Sequence, residues 1–293
     1  MTSSDRVLVV GAAGLVGSHI HRALGDRAIG STHRTPVAGA ETTLDVTDAR
    51  QVDEVVGRLR PSAIVAAAAE PWVERNEREP EFTRRVNVGG TEALAAAARR
   101  VGATLVVFSS EYVFDGSAGP YGEDDAVRPI NEYGRQKVEI ERIARGLPSH
   151  LVCRVSGVFG WERARKNFVC QVVDRLRAAQ RFDVPNDQLI TPTYAPRLAD
   201  AIVELLHRGA SGTFHLAGPE IIGRVAFGEK VARAFGLDPA AIRGRPTVEL
   251  GSVAPRPAAA GLRTDKLRVT LGHDLGPLDE ALGEMVRTES TAQ

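Results

Sequence analysis

A doubly wound α/β fold, a parallel sheet covered by helices on both faces, is predicted by three features of the sequence. A β-branched run, Arg6 to Val10, stops at Gly11 and gives way to residues with helical apolar spacing. Short apolar runs then alternate with amphipathic stretches throughout the first half. These runs lack the polar alternation of a half-exposed strand, and Thr104 to Ser109 carries no charge, as expected of strands buried on both faces.

In chain order, the strand Arg6–Val10 leads through a tight turn to a helix over Gly14–Leu24, where Leu15, Ile20 and Leu24 fall at helical spacings. A short strand near Ala28–Ser31 and another ending at Leu44 precede a helix over Ala49–Leu59 and the strand Ala63–Ala67. A helix over Phe82–Arg100 leads to the strand Thr104–Ser109, bounded by Gly102 and Glu111. The segment Asp115–Pro129, rich in Gly, Pro and acids, reads as a loop; a helix over Glu132–Arg145 and the strand His150–Val155 follow. Beyond Gly160 the alternation turns irregular. Short strands at Phe182–Val184 and Thr213–Leu216 lie among helices near Asn167–Ala179, Arg197–His207, Val225–Ala234 and Leu278–Met285. The reading is a Rossmann-type domain over 1–160 and a smaller mixed α/β substrate-binding domain over 161–293, with segments that interleave. Pro246–Pro257, with three prolines and a glycine, is a loop expected to lie over something.

Composition limits the function. The 293 residues are 43% hydrophobic and 25% charged, which excludes a mainly disordered, collagen-like or coiled-coil chain. Lys plus Arg equals Asp plus Glu, 37 against 37, so no net positive field gathers nucleic acid or an anionic membrane, and a small-molecule partner is expected. Cys153 and Cys170 make neither a disulfide framework nor a thiolate zinc site and read as buried thiols. His19 and His21, at i and i+2 on a helix, face apart, and Glu123-Asp124-Asp125 reads as a solvated turn, so no metal is expected. The first apolar stretch holds three glycines and no basic leader and reads as folded protein; no run of about 18 apolar residues occurs. The expected location is the cytoplasm.

The run VLVVGAAGLVG sets Gly11, Gly14 and Gly17 between a strand and a helix. There a helix N-terminus offers free N–H groups to a pyrophosphate, and missing side chains let the backbone approach it. The plainer reading is a tight turn with close helix packing. Such a site usually has a carboxylate at the end of its second strand for the adenine ribose. This chain instead reads Gly30-Ser31-Thr32-His33-Arg34, a basic pair suited to a ribose phosphate, which predicts NADP(H) over NAD(H).

Only four tyrosines and four lysines occur, yet Tyr133 and Lys137 stand at i and i+4, on one face of a helix. An ammonium near a phenol favours phenolate and lowers its pKa, suiting the tyrosine to give a proton to a developing alkoxide. Ser109 and Ser110 end the strand before that helix, where a hydroxyl can donate to the same carbonyl.

GAAGLVG, FSSEYVFDG, PINEYGRQK and RVSGVFG, in this order, resemble the extended short-chain dehydrogenases/reductases, in particular their dTDP-4-dehydrorhamnose reductase group. KNF at 166–168, NDQLITPT at 186–193, GTFHLAG at 212–218 and RP at 256–257 extend the resemblance nearly end to end. It implies reduction of a keto group on a nucleotide-linked 4-keto-6-deoxy sugar or a similar ketone, with hydride from NADPH. By position, Ser110 matches the catalytic Ser/Thr, Tyr133 the acid and Lys137 its ribose-binding partner; Glu111 stands where the family usually has aspartate. Ser109, Leu15, Val16, Asp45, Val46, Ala67, Ala68, Ala69 and Val158 match cofactor contacts, and Asn167 and Gln188 match positions lining the sugar-nucleotide pocket. A homodimer is among the assemblies open to such a chain.

The departures bear on the substrate. Gly157 replaces a tryptophan of the strand end and is expected to leave a hole, and AAEPWVERNE at 68–77 alters the wall opposite the nicotinamide. That stretch and the basic end of the second strand look like the regulatory beta subunit of methionine adenosyltransferase, so a non-catalytic NADP-binding partner stays open beside the reductase. Trp72 and Trp161 cover a substrate or pack a core. Arg154, Arg163, Arg165, Arg256 and Arg263 are candidates to meet an anionic substrate.

Overall fold

The computed structural model describes residues 6–33 and 40–289. Strand β1 (Val7–Val10) buries all four side chains, followed by α1 (Leu15–Leu24), β2 (Ala28–Thr32) and β3 (Ala40–Thr43). Then come α2 (Ala49–Leu59), β4 (Ala63–Ala66), α3 (Val73–Arg78), α4 (Pro80–Arg84), α5 (Gly90–Val101) and β5 (Thr104–Ser110). The chain continues through α6 (Glu132–Arg145), β6 (His150–Val155), β7 (Val158–Phe159), α7 (Phe168–Arg177), β8 (Phe182–Pro185), β9 (Leu189–Ile190) and β10 (Thr193–Tyr194). It ends with α8 (Ala195–His207), β11 (Gly212–His215), β12 (Ile222–Gly223), α9 (Arg224–Ala234), β13 (Ile242–Arg245), α10 (Asp265–Leu271) and α11 (Leu278–Arg287).

Seven strands form one parallel sheet in the order β11-β6-β5-β4-β1-β2-β3. Alternate residues feed two cores. Val7, Val9, Val65, Val106 and Leu151 pack against Ile20 of α1, Leu198 and Ile202 of α8 and Leu267 of α10. Leu8, Val10, Ile64, Leu105 and Val152 pack against Val52, Val56, Leu94, Ala98 and Ile140 on α2, α5 and α6. Burial on both faces is why these strands read as continuous apolar runs. Strand order reverses between β1 and β4, so a crevice opens beyond their carboxyl ends, where ligands of open α/β sheets bind.

After residue 160 the chain builds a further core from Phe159, Val169, Val173, Phe227, Val231, Leu282 and Met285. It also returns to the large sheet, pairing β11 beside β6. Trp161 belongs to the packing: its Nε1 donates to the Met285 carbonyl at 2.8 Å and its ring meets Phe235 edge-on. The single helix expected over Phe82–Arg100 is two, joined by a π-helical turn over Arg85–Gly89. That turn carries the buried Asn87, whose side chain holds the loop after β4. No helix among the described residues is long and apolar enough to cross a membrane.

Candidate active site

The three glycines of the first turn do different work. Gly11 has φ +89°, and a Cβ there would meet the Ala68 nitrogen at 2.7 Å; a Cβ on Gly17 would meet the Gly11 carbonyl oxygen at 2.2 Å. Both are fixed by packing. A Cβ on Gly14 would meet only the Gly11 carbonyl, at an ordinary 3.5 Å, so this position is open toward the crevice. Gly14 caps α1 without a side-chain bond, and the first turn, begun by Leu15 and Val16, holds no acid. Its N–H groups, which lack intrahelical acceptors, are therefore offered to an anion, and the turn fits a dinucleotide pyrophosphate.

Ala67, Ala68 and Ala69 run beside this turn: the Ala67 N–H donates to the Val10 carbonyl at 2.9 Å, and Ala68 is the residue that excludes a side chain at Gly11. On the other side His33 follows β2, with Nε2 3.4 Å from Asp45 Oδ2. Asp45 Oδ1 accepts from the Thr47 N–H and hydroxyl, which fixes the carboxylate beside His33. Val46 is buried against Gly90. Arg34 lies outside the described residues. Val158 sits on β7, paired with Thr193.

Ser110 ends β5, and Tyr133 and Lys137 occupy the first turns of α6, whose Asn131 cap accepts from the Gly134 N–H at 2.8 Å. Gly134 lets that helix sit close: a Cβ there would lie 2.1 Å from the Tyr112 carbonyl. The Tyr133 phenol shares a hydrogen bond with Ser110, whose hydroxyl also donates to Glu111 at 3.2 Å. Glu111 in turn accepts from Ser156. Lys137 Nζ donates to the Phe108 carbonyl at 2.8 Å and stands 5.3 Å from the Tyr133 ring centroid. Tyr112 packs edge-on against Tyr133, with centroids 5.7 Å apart.

Electrostatics reverse one expectation. The Tyr133 phenol is pushed above its ordinary value by burial and then by Glu111 and Tyr112, with only the Ser110 hydrogen bond acting downward. Lys137 does not depress it; burial draws its own ammonium down to about 8 against the supporting charge of Glu141. Burial raises Glu111 to about 7, although its hydrogen bonds and Arg224 favour the carboxylate. The cluster is thus a set of nearly dry groups that hold protons around neutrality.

Other expected site residues make hydrogen bonds within the chain. The Ser109 hydroxyl donates to buried Glu141 at 2.6 Å. Asn167 caps α7, accepting from the Cys170 N–H while its amide donates to the Gly160 carbonyl and Glu162. Gln188 is buried and donates to Thr247 at 2.8 Å. Gly157 leaves no hole: its φ is +49°, and Ile190 Cδ1 would stand 3.0 Å from a Cβ there, so a neighbouring aliphatic fills the place of the missing aromatic. Of the arginines, Arg154 is buried and paired with Glu141, Arg165 pairs with Asp174, and Arg263 with Asp125. Trp72 is 44% exposed, with Lys166 Nζ 5.5 Å from its ring.

Two arrangements join residues that the sequence does not pair. Asn87 bonds both backbone groups of Glu70 and donates to Gln136, the neighbour of Lys137, so the loop after β4 is tied to the helix bearing Tyr133. The 246–257 loop lies over Tyr112: Glu74 accepts from the Val253 N–H and from Arg256, which also donates to the Tyr112 hydroxyl at 3.0 Å. Arg256 is thereby a strap anchor held on both sides. Spacing along the chain does not reveal such pairs, because the partners lie far apart in sequence.

The chain is 32% identical over 274 residues to the dTDP-4-dehydrorhamnose reductase of Salmonella typhimurium, covering 89% of this chain and 90% of that protein. It is 30% identical over 273 residues to methionine adenosyltransferase 2 subunit beta of Xenopus tropicalis, covering 89% and 81%. The crystal structure of dTDP-4-dehydrorhamnose reductase from Bacillus anthracis in complex with NADP superposes with a TM-score of 0.84 at 26% identity, over 96% of this chain and 98% of that one. A family model described as the RmlD substrate binding domain matches residues 5–291. With a glycine turn open at Gly14, a Ser110-Tyr133-Lys137 cluster beside it and that match over nearly the whole length, the chain belongs to the RmlD substrate binding domain family of extended short-chain dehydrogenases/reductases.

Proposed function

We propose that the protein reduces the keto group of a nucleotide-linked 4-keto-6-deoxy sugar with NADPH. The observation that carries this is the meeting of the Tyr133 phenol, Ser110 and Lys137 beside the crevice at the end of β1 and β4. Gly14, Leu15 and Val16 hold the pyrophosphate of the dinucleotide, which supplies hydride from its nicotinamide. Ser110 donates to the substrate carbonyl, Tyr133 delivers the proton to its oxygen, and Lys137 binds the ribose. A phenol held above its ordinary pKa keeps its proton until the alkoxide forms, as an acid must. His33 and Arg34 favour NADP(H) through the phosphate on the adenine ribose, with Asp45 orienting His33.

The direct test is the fall in NADPH absorbance on adding a dTDP-4-keto-6-deoxy sugar, paired with fluorescence titrations of NADPH and NADH. Turnover is expected, and Arg34→Ala should weaken NADPH binding about tenfold while leaving NADH unchanged. Equal affinity of the wild type for both cofactors would remove the phosphate reading. Tight NADPH binding without turnover of this or a related ketone would return the regulatory-subunit reading.

Glu111 gives the reaction a pH dependence. With its pKa raised to about 7 by burial, it is protonated on the acid side and ionised above. The carboxylate form faces Tyr133 and makes transfer of negative charge to the phenol harder. Turnover at saturating substrate should therefore fall as pH rises through about 7, and Glu111→Gln should remove the step centred there, leaving the separate titration of Lys137 at about 8. A limb that survives in Glu111→Gln belongs to another group.

A further inference from the structure

Of the five arginines that the sequence puts forward for an anionic substrate, four are bound to carboxylates: Arg154 to Glu141, Arg165 to Asp174, Arg256 to Glu74 and Arg263 to Asp125. Arg163 is exposed. Arg224, the first residue of α9, differs from all of them. It is partly buried, and among the described residues no carboxylate pairs with its guanidinium. The group lies 5.4 Å from the Phe168 ring centroid, so an aromatic covers one face while the N–H edges are left for another acceptor. A cation drawn out of water without a counter-charge is costly, so an unpaired guanidinium held in this way requires an explanation.

Its surroundings supply one. The Arg224 N–H donates to the Gln188 carbonyl at 3.3 Å. The short pair β9–β12 sets Gly223 opposite Leu189 and Ile222 opposite Ile190, and the Ile190 side chain lies against Gly157, the neighbour of Ser156. Ser156 donates to Glu111, which Ser110 joins to Tyr133. A continuous run of contacts thus leads from Arg224 to the proton-donating cluster, and the Arg224 charge acts on the Glu111 carboxyl without forming an ion pair with it. Helix α9 packs in the core built after residue 160, apart from β1 and α1, so Arg224 approaches the cluster from a wall other than the glycine turn. We propose that Arg224 is a substrate-binding residue that takes an oxyanion of the substrate, either the diphosphate of a nucleotide sugar or a carboxylate on the sugar. The proposal rests on the reading of the crevice as a nucleotide-sugar site. A guanidinium presents its donors in a planar fork and meets either oxyanion with two parallel bonds. Glu111 does not neutralise it in advance, because burial raises that carboxyl to about 7 and leaves much of it protonated at neutrality.

Arg224→Met keeps an aliphatic stem over Phe168 and Arg224→Lys keeps the charge. Titrating both with dTDP, dTDP-glucose and dTDP-glucuronic acid, and with NADPH as control, tests the assignment and its source. Arg224→Met should lose about tenfold or more in affinity for at least one of the three dTDP compounds, with NADPH affinity and the thermal midpoint as in the wild type. Arg224→Lys should lose clearly less. An equal loss for all three dTDP compounds assigns the diphosphate; a loss for dTDP-glucuronic acid beyond that for dTDP-glucose assigns the sugar carboxylate. Wild-type affinity of Arg224→Met for all three, or a loss shared by NADPH with a lowered thermal midpoint, would overturn the proposal. A wild type that binds NADPH but none of the three would overturn the reading of the crevice as a nucleotide-sugar site, and the proposal with it.

Discussion

Tyr133→Phe is expected to lower turnover at least about a hundredfold, a barrier increase of about 2.7 kcal/mol, while NADPH affinity stays within about twofold. The phenol oxygen is the part of this side chain that shares a hydrogen bond with Ser110, and the ring keeps its edge-on contact with Tyr112 when only that oxygen is removed. The variant should therefore fold with the wild-type cluster around it. Because the proton leaves the phenol only as charge develops on the substrate oxygen, the loss should fall on kcat rather than on KM. Ser110→Ala should cost less, since it removes a donor to the carbonyl and leaves the acid in place. Stopped-flow measurement of a single NADPH turnover separates the chemical step from release. A Tyr133→Phe enzyme with unchanged single-turnover rate would take this residue out of the mechanism.

The difference in legibility between the two halves has a physical cause. In the first half the strands inside the sheet are covered on both faces and each helix on one, so local apolar period and tertiary position agree. Gly11, Gly14 and Gly17 were readable as a group because the strand–turn–helix transition is local, although spacing did not separate the packing glycines from the open one. Tyr133 and Lys137 were readable because one helix carries both. Their electrostatics were not, because burial and the charge of Glu111 come from other segments and outweigh the ammonium four residues away. After residue 160 the strands are short and their partners remote: β11 finds β6 some 60 residues earlier, and β8 pairs with β13. The helices α3 and α10 are too short to display a period. The resemblance implies a substrate-pocket position for Asn167, and its side chain also caps α7, a role that the resemblance does not give.

The largest stability effect is expected at a residue offered by sequence as an anion-binding arginine. Arg154 is 2% exposed, and its Nε and one terminal nitrogen bond the two oxygens of fully buried Glu141 at 2.8 and 2.9 Å. A third donor reaches the Glu123 carbonyl, and the guanidinium lies 5.1 Å from the Phe114 ring. Arg154→Met leaves that buried carboxylate with only Arg145, at 2.7 Å, and the Ser109 hydroxyl as partners, and should destabilise by about 3 kcal/mol, lowering the thermal midpoint by roughly 6 °C. The double variant Arg154→Met with Glu141→Gln should recover a good part of this, since a neutral amide in the same place carries no uncompensated charge. The pH dependence distinguishes this account from a mere packing defect. Burial pushes Glu141 up, but the hydrogen bonds and charge of Arg154, the Ser109 hydroxyl and the charge of Arg145 together hold it below its ordinary value. The pair therefore contributes stability that is present above the ordinary carboxylate range and lost as pH falls through the lowered value. Without Arg154 the balance shifts toward burial and the Glu141 pKa rises, so the variant should lose less stability than the wild type as acid protonates Glu141. Denaturant midpoints measured at neutral and mildly acid pH should converge for the two proteins, and a constant gap would show that lost packing, not a stranded charge, carries the effect. Glu141 also supports the Lys137 ammonium, one turn earlier on α6, so Glu141→Gln should lower the Lys137 pKa further and carry the core defect into the active site.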